Sequence, residues 1–288
     1  MVSSAISLLY SILRRSSPEN TPEAEDFLVN LIDSPGHVDF SSEVSTASRL
    51  CDGAIVMVDA IEGVCSQTIT VLRQTWLEHM KPILVINKLD RLILEYRMTP
   101  LEAYIRLSQI LETVNAVMGS FFQGERMQDD LTWRQNLEER LKSKAKRKET
   151  TEDTADPTNG LEAEGDAIES DLFEEKDDEE LYFGPERNNV IFASAIDGWA
   201  FTVRQFAGIY ERKLGIKKEK LEKVLWGDYY YDPKSKRVLA HKHLKGRALK
   251  PMFCHLILEN IWAVYRATGV VPDSHRCVSS LIAGIILR

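Results

Sequence analysis

The stretch that most constrains the fold is Asp33-Ser34-Pro35-Gly36-His37, which follows the apolar run Phe27-Leu28-Val29-Asn30-Leu31-Ile32. A short run of β-branched and aliphatic residues predicts a buried strand, with the acid at its C-terminal mouth. That mouth is where open α/β sheets bind ligands. An aspartate there can hold a hydrated Mg²⁺, an ion that keeps most of its waters and takes one or two carboxylates plus phosphate oxygens. Gly36 lacks a Cβ, so its backbone N–H can approach a terminal phosphate closely, and His37 then lies within reach of a water attacking that phosphate. Asp-x-x-Gly alone carries little weight, because Asp and Gly also serve ordinary turn chemistry. The longer text, continuing into Val38-Asp39-Phe40, is more specific.

Three further apolar runs follow the same pattern of strand and polar end. Gly53-Ala54-Ile55-Val56-Met57-Val58 ends in Asp59, Pro82-Ile83-Leu84-Val85-Ile86 ends in Asn87-Lys88-Leu89-Asp90, and Asn189-Val190-Ile191-Phe192-Ala193 ends in Ser194-Ala195. All three are expected to be parallel strands of one sheet. Asn-Lys-x-Asp suits guanine: the amide can bond the N7 side, the lysine stem can lie along the ring, and the carboxylate can accept from the ring N–H and the exocyclic amino group. Backbone N–H groups of Ser194 and Ala195 would complete the pocket at O6. In isolation the tetrapeptide reads equally well as a polar turn, and Ser-Ala means almost nothing. Helices are expected over 41–50, over 66–79 with Ile69, Leu72 and Trp76 on the core face, from a Thr99 capping box onward, and over 201–214, 217–225 and 251–267.

Charge is unevenly distributed. Residues 151–180 hold fourteen acidic residues against one lysine, a charge of −13, so the remainder of a chain of net charge −8 carries +5. Like-charge runs with few apolar residues do not offset chain entropy, and residues 124–180 are expected to be largely disordered. The basic remainder suits an anionic partner such as nucleotide or RNA. The four cysteines have neither metal-ligand spacing nor the density of a disulfide scaffold, which points to a reducing compartment. Residues 5–13 are apolar with arginines after them, the reverse of a secretory signal; a strand is expected there, with a mitochondrial presequence as the competing reading. No run is long enough to span a membrane.

Taken together, the motifs resemble the GTP-binding domain of translational GTPases: Asp33 to Phe40, Val58-Asp59-Ala60 with Glu62-Gly63-Val64, and Asn87-Lys88-Leu89-Asp90-Arg91. Trp226-Gly227-Asp228 and residues 256–262 are similar to the eukaryotic elongation factor 2 branch. The charged insert, with Ser194-Ala195-Ile196-Asp197-Gly198-Trp199, resembles the elongation-factor-like GTPases of ribosome assembly. The resemblance implies an α/β fold of the P-loop NTPase type with a mostly parallel sheet, truncated at its N-terminus. Its GTP-binding domain would occupy 1–120 and 187–268, around a charged insert at 121–186 and before a divergent tail at 269–288.

The resemblance further implies GTP or GDP with Mg²⁺ as ligands, Asp33 holding Mg²⁺ through water, Gly36 sensing the γ-phosphate and His37 placing the hydrolytic water. Asn87, Lys88 and Asp90 would select guanine, supported by Ser194 and Ala195. Implied partners are the large ribosomal subunit, a maturation protein and an anti-association factor released from the subunit. The expected protein is a cytoplasmic monomer without membrane contact. The sequence departs from the family in having no Gly-x-x-x-x-Gly-Lys-Ser/Thr loop, so the chain is expected to begin inside the domain. Two apolar strand edges would then be uncovered. A non-catalytic remnant or interaction module, and an elongation factor acting in translocation, are the alternative readings.

Overall fold

A computed structural model describes residues 4–14, 23–34, 41–149, 181–232, 237–244 and 249–268, with single positions at 278, 282 and 284. It divides into two units, residues 1–114 with 183–288, and residues 115–182.

In the first unit, β1 (Ser4–Arg14) and β2 (Glu23–Asp33) form an antiparallel hairpin. After α1 (Ser41–Ser48) come β3 (Gly53–Asp59), α2 (Ser66–Leu77), β4 (Lys81–Asn87), α3 (Leu89–Leu94) and the start of α4 (Pro100–Glu149). The chain returns with β5 (Val190–Ser194), β6 (Trp199–Phe201), α5 (Val203–Leu214) and α6 (Lys218–Val224). A small hairpin, β7 (Tyr229–Asp232) with β8 (Arg237–Ala240), precedes a π-helical turn (Phe253–Leu258) and α7 (Glu259–Thr268). The main sheet has the order β3-β4-β5-β6, parallel except for β6. The three expected parallel strands are thus present, and β6 is an antiparallel addition too short for periodicity to reveal.

Strand register explains the core. Val56 and Val58 of β3 share a face with Leu84 and Ile86 of β4 and with Val190 and Phe192 of β5, and all six are buried. On that face Phe192 meets Phe253 (ring centroids 5.1 Å apart), Phe201 (5.4 Å) and Trp226 (5.7 Å), while Tyr104 of α4 packs edge-on against Trp226 at 5.0 Å. Aromatic pairs at these spacings add about 0.5–1.5 kcal/mol each beyond area burial. Burial also pushes the Tyr104 hydroxyl and the Cys254 thiol up to about 12. The π-helical turn redirects the Leu256 carbonyl, which accepts from Tyr210 Oη (2.7 Å) and Asn260 Nδ2 (2.6 Å). The helix expected over 251–267 is present, unbroken from 252 to 268, with the π-helical turn as a local irregularity that periodicity does not reveal.

The structure corrects three expectations. Residues 27–32 are not a buried parallel strand: they lie in β2, pair with β1, and Leu28 is 66 % exposed. The run includes Asn30 and is flanked by Asp26, whose side chains accept from Ser7 (2.7 Å) and Ser11 across the hairpin, so the strand satisfies its polar groups locally. In α2 the buried residues are Thr68, Leu72 and Thr75, whereas Ile69 is exposed; Leu72 faces the core as expected, and a helix rotation smaller than the roughly 100° between adjacent residues exchanges Ile69 for Thr68. Residues 124–149 are helical rather than disordered. Their Glu, Arg, Gln, Leu and Lys content favours helix, and Asp130 and Arg134 form an i,i+4 ion pair at 2.9 Å. The acidic stretch at 150–180 lies outside the described residues. Within them, no helix is long and apolar enough to cross a membrane.

Candidate guanine-nucleotide site

Parallel pairing brings the C-terminal ends of β3, β4 and β5 side by side, with Asp59 opposite Asn87 and Ile86 opposite Phe192. Three polar termini therefore converge at one mouth of the sheet. Asn87 spans two of them, its Oδ1 accepting from the backbone N–H of Lys88 (2.8 Å) and of Ala195 (3.0 Å). The same amide stabilises a local bend: Lys88 sits at φ +65°, in the left-handed region that costs a non-glycine residue about 1–2 kcal/mol. That bend starts α3 and turns Asp90 inward.

Asp90 is buried, and its Oδ1 accepts from the Ser194 hydroxyl at 2.7 Å, linking positions 104 residues apart. Burial raises its pKa above the ordinary carboxylate value; the Ser194 hydrogen bond opposes that rise and the nearby Asp197 charge adds to it. Ser194 is fully buried and lies 3.1 Å from Asp197 Oδ2 as well. Asp197 is held in turn by Tyr265 of α7, whose hydroxyl donates to the same Oδ2 and accepts from Trp199 Nε1 at 3.0 Å.

On the solvent side, Lys88 Nζ is 2.6 Å from Asp59 Oδ2, and Arg91 stands 3.8 Å from the same oxygen. Burial pushes the Asp59 carboxyl up, but the Lys88 hydrogen bond and the N–H groups of Ile61 and Glu62 outweigh it and hold the group below its ordinary value. Those N–H groups shape the turn after β3, with Asp59 Oδ1 2.7 Å from Ile61 N and the Asp59 carbonyl 2.8 Å from Gly63 N. Gly63 has φ +77°, and a Cβ there would stand 3.2 Å from the Arg106 guanidinium that braces the Ala60 and Ile61 carbonyls.

Of the residues singled out in the sequence, Asn87, Lys88, Asp90, Ser194 and Ala195 are brought together. Asp33 ends β2 in the separate hairpin sheet and is exposed. Gly36 and His37 lie outside the described residues. Among the described residues no cluster of three His, Cys, Asp or Glu side chains is arranged for a metal ion. Sequence reasoning gave Asp197, Trp199 and Tyr265 no role at the site. Asp197, three residues after Ser194, carries a turn signal, whereas Tyr265 carries none.

A carboxylate acceptor, an amide and a lysine stem at one sheet mouth present the pattern that guanine-binding domains require. The sequence model of the elongation factor Tu GTP-binding domain matches residues 16–259. The chain belongs to that family. It is a family of GTP hydrolases, and this chain shares its α/β architecture. Curated relatives include ribosome assembly protein 1 of Saccharomyces cerevisiae, 56% identical over 274 residues that cover 95% of this chain and 22% of the relative. Elongation factor-like GTPase 1 of Mus musculus is 50% identical over 289 residues, covering 100% of this chain and 23% of the relative. The human protein of that name is 51% identical over 93% of this chain and 21% of its own length. The chain thus spans under a quarter of the length of these relatives.

Proposed function

We propose that this chain carries the guanine-recognition half of a GTPase acting in assembly of the large ribosomal subunit. The observation that carries the reading is the buried Asp90, oriented by Ser194 beside the Asn87–Ala195 brace. In this reading Asp90 accepts from the ring N–H and exocyclic amino group, Asn87 Nδ2 donates to N7, and the Lys88 stem covers the ring. The Ala195 N–H, already donated to Asn87, reaches O6 only by sharing that hydrogen. GTP-binding segments would occupy 1–120 and 187–268, with the charged insert at 121–186 and the tail at 269–288 outside the nucleotide site.

On the phosphate side, Asp33 would hold hydrated Mg²⁺ together with phosphate oxygens, since a single carboxylate suffices only in that company. Bound Mg²⁺ supplies charge neutralisation during phosphoryl transfer, a reaction governed by positioning and electrostatics. Gly36 would give its N–H to the γ-phosphate, and His37 would orient the attacking water once the protein is docked on a ribosomal subunit. The names of the relatives, ribosome assembly protein 1 and elongation factor-like GTPase 1, support ribosome assembly as the setting. Release of an anti-association factor together with a maturation protein, in the cytoplasm and as a monomer, completes the reading.

A second reading, a non-catalytic interaction module without GTP turnover, is favoured by one observation: no Gly-x-x-x-x-Gly-Lys-Ser/Thr loop occurs in the 288 residues. Without that cradle, GTP should bind at least a hundredfold more weakly than to a domain that has it, roughly 2.7 kcal/mol. Titration of the 288-residue chain with a fluorescent GTP analogue and Mg²⁺ tests both readings. Saturable binding lost in Asp90→Asn supports the guanine site, and micromolar or tighter affinity overturns the cradle argument. Absence of binding that depends on Asp90 overturns the site.

A further inference from the structure

The Ser194 hydroxyl has one hydrogen and two carboxylates within reach, Asp90 Oδ1 at 2.7 Å and Asp197 Oδ2 at 3.1 Å. Which of them receives it decides whether Asp90 is fixed in one rotamer. Ser194 Oγ also accepts from the Asp197 N–H at 3.3 Å, which locks the turn but leaves the hydroxyl hydrogen free to choose. The competing oxygen, Asp197 Oδ2, is the one to which the Tyr265 hydroxyl donates. Trp199 Nε1–H occupies a Tyr265 oxygen lone pair at 3.0 Å and so turns the tyrosine hydrogen toward Asp197. All five side chains are buried.

We propose that Tyr265, oriented by Trp199, is a positioning residue for guanine recognition: by donating to Asp197 Oδ2 it weakens that oxygen as a competing acceptor and biases the Ser194 hydrogen toward Asp90, which fixes the carboxylate that reads the base. The inference rests on the guanine reading above and extends it to α7 and β6, whose residues lie outside the base-recognition text. Burial and the adjoining Asp197 charge raise the Tyr265 hydroxyl far above its ordinary value, so it remains a donor throughout the neutral range. The arrangement is directional. Removing the tyrosine hydroxyl withdraws one donor from Asp197, makes its Oδ2 a stronger acceptor and draws the Ser194 hydrogen away from Asp90. Replacing the Asp197 carboxylate by an amide leaves a weaker acceptor and so reduces the competition.

The experiment compares the affinities of the 288-residue chain for GDP and for IDP, which lacks the exocyclic amino group that Asp90 would accept from. Both are measured by equilibrium titration in wild type, Tyr265→Phe, Asp197→Asn and the double variant. Wild type is expected to prefer GDP by about tenfold or more, the effect of losing a charge-assisted hydrogen bond. Tyr265→Phe is expected to narrow that ratio at least about threefold, and the double variant to restore it. A purely structural Tyr265 would weaken both nucleotides alike, leaving the ratio unmoved, and that result overturns the proposal. If Tyr265→Phe does not fold, Trp199→Phe, which removes the N–H that orients the tyrosine hydrogen, decides: a narrowed ratio supports the proposal and an unmoved one overturns it. A wild-type chain without preference for GDP defeats the guanine reading, and the inference falls with it; a wild-type preference unchanged in Tyr265→Phe defeats only the inference.

Discussion

The guanine corner and the β1–β2 hairpin are built from similar apolar strand text and have opposite physical fates. At the corner, Phe192 and Ser194 of β5 are both fully buried, and Asp90, Asn87 and Asp197 are each engaged by a partner from another part of the chain. In the hairpin, Ile6, Leu8, Tyr10 and Ile12 share one face with Phe27, Val29 and Leu31 by the β1–β2 register, and all seven are exposed. Polar bonds on its other face, such as Ser7 to Asn30, are made within the hairpin. Long-range contacts, rather than apolar content, separate a rigid site from a strand pair that stands by its own pairing. Two-stranded sheets without a packed face are marginal in water.

The largest expected effect sharpens that contrast. Phe192→Ala removes the ring that joins Phe253, Phe201 and Trp226, and should cost about 3–5 kcal/mol in urea unfolding. Leu8→Ala, at a site 51 % exposed on the apolar face, should change the unfolding free energy by less than about 0.5 kcal/mol. A hairpin substitution as costly as the core one would show that the exposed face is covered in solution. Light scattering gives a second view: charges introduced at Leu8 and Val29, opposite each other in register, should reduce self-association, because exposed apolar faces promote it.

Next in size is Ser194→Ala. The hydroxyl lies between two carboxylates, and its loss withdraws a donor from buried Asp90, a deficit of about 1–3 kcal/mol. Chemical denaturation at neutral pH measures it.

Asp90→Asn should go the other way in the unliganded chain. Because the folded-state value of Asp90 is raised, the protonated form is favoured by folding. The stability it contributes is present below the ordinary value of 3.8 and is lost as pH rises through the raised folded value. The uncharged variant escapes that loss. Urea midpoints should therefore show Asp90→Asn gaining on wild type as pH increases from about 3 to 7. A gain that is absent, or constant with pH, would mean that the Ser194 bond already compensates burial in full.

Much of the corner was legible because its signals are local. Asn87-Lys88-Leu89-Asp90 and Ser194-Ala195 each follow an apolar run, and parallel pairing of β4 with β5 is enough to juxtapose them. The hairpin was misread because an apolar run reports only that a strand prefers burial, not which strand it pairs with. The 124–149 helix is hidden by its charge density, which suggests disorder, although high charge and helix coexist when opposite charges fall four residues apart. Tyr265 was invisible for a different reason. It sits 68 positions from Asp197, and an amphipathic helix buries a tyrosine whether or not its hydroxyl has work to do.

The smallest effect concerns the solvent side of the same corner. Lys88 is 47 % exposed, so its 2.6 Å pair with Asp59 should contribute no more than about 1 kcal/mol, and less at high salt. Lys88→Met tests this while keeping an apolar stem. The sign with pH is fixed by Asp59, whose folded value is depressed: its stabilisation is present above 3.8 and disappears as pH falls through that depressed value. Wild type should therefore exceed Lys88→Met in stability at pH 7 and converge with it in acid, with the difference also shrinking in about 1 M salt. Convergence in acid without salt dependence would assign the Lys88 contribution to its hydrogen bond and stem packing rather than to long-range charge. The corner would then be held at its rim, as at its core, by directional contacts between separate elements, whereas the Ser7–Asn30 and Ser11–Asp26 bonds of the hairpin run between its own two strands.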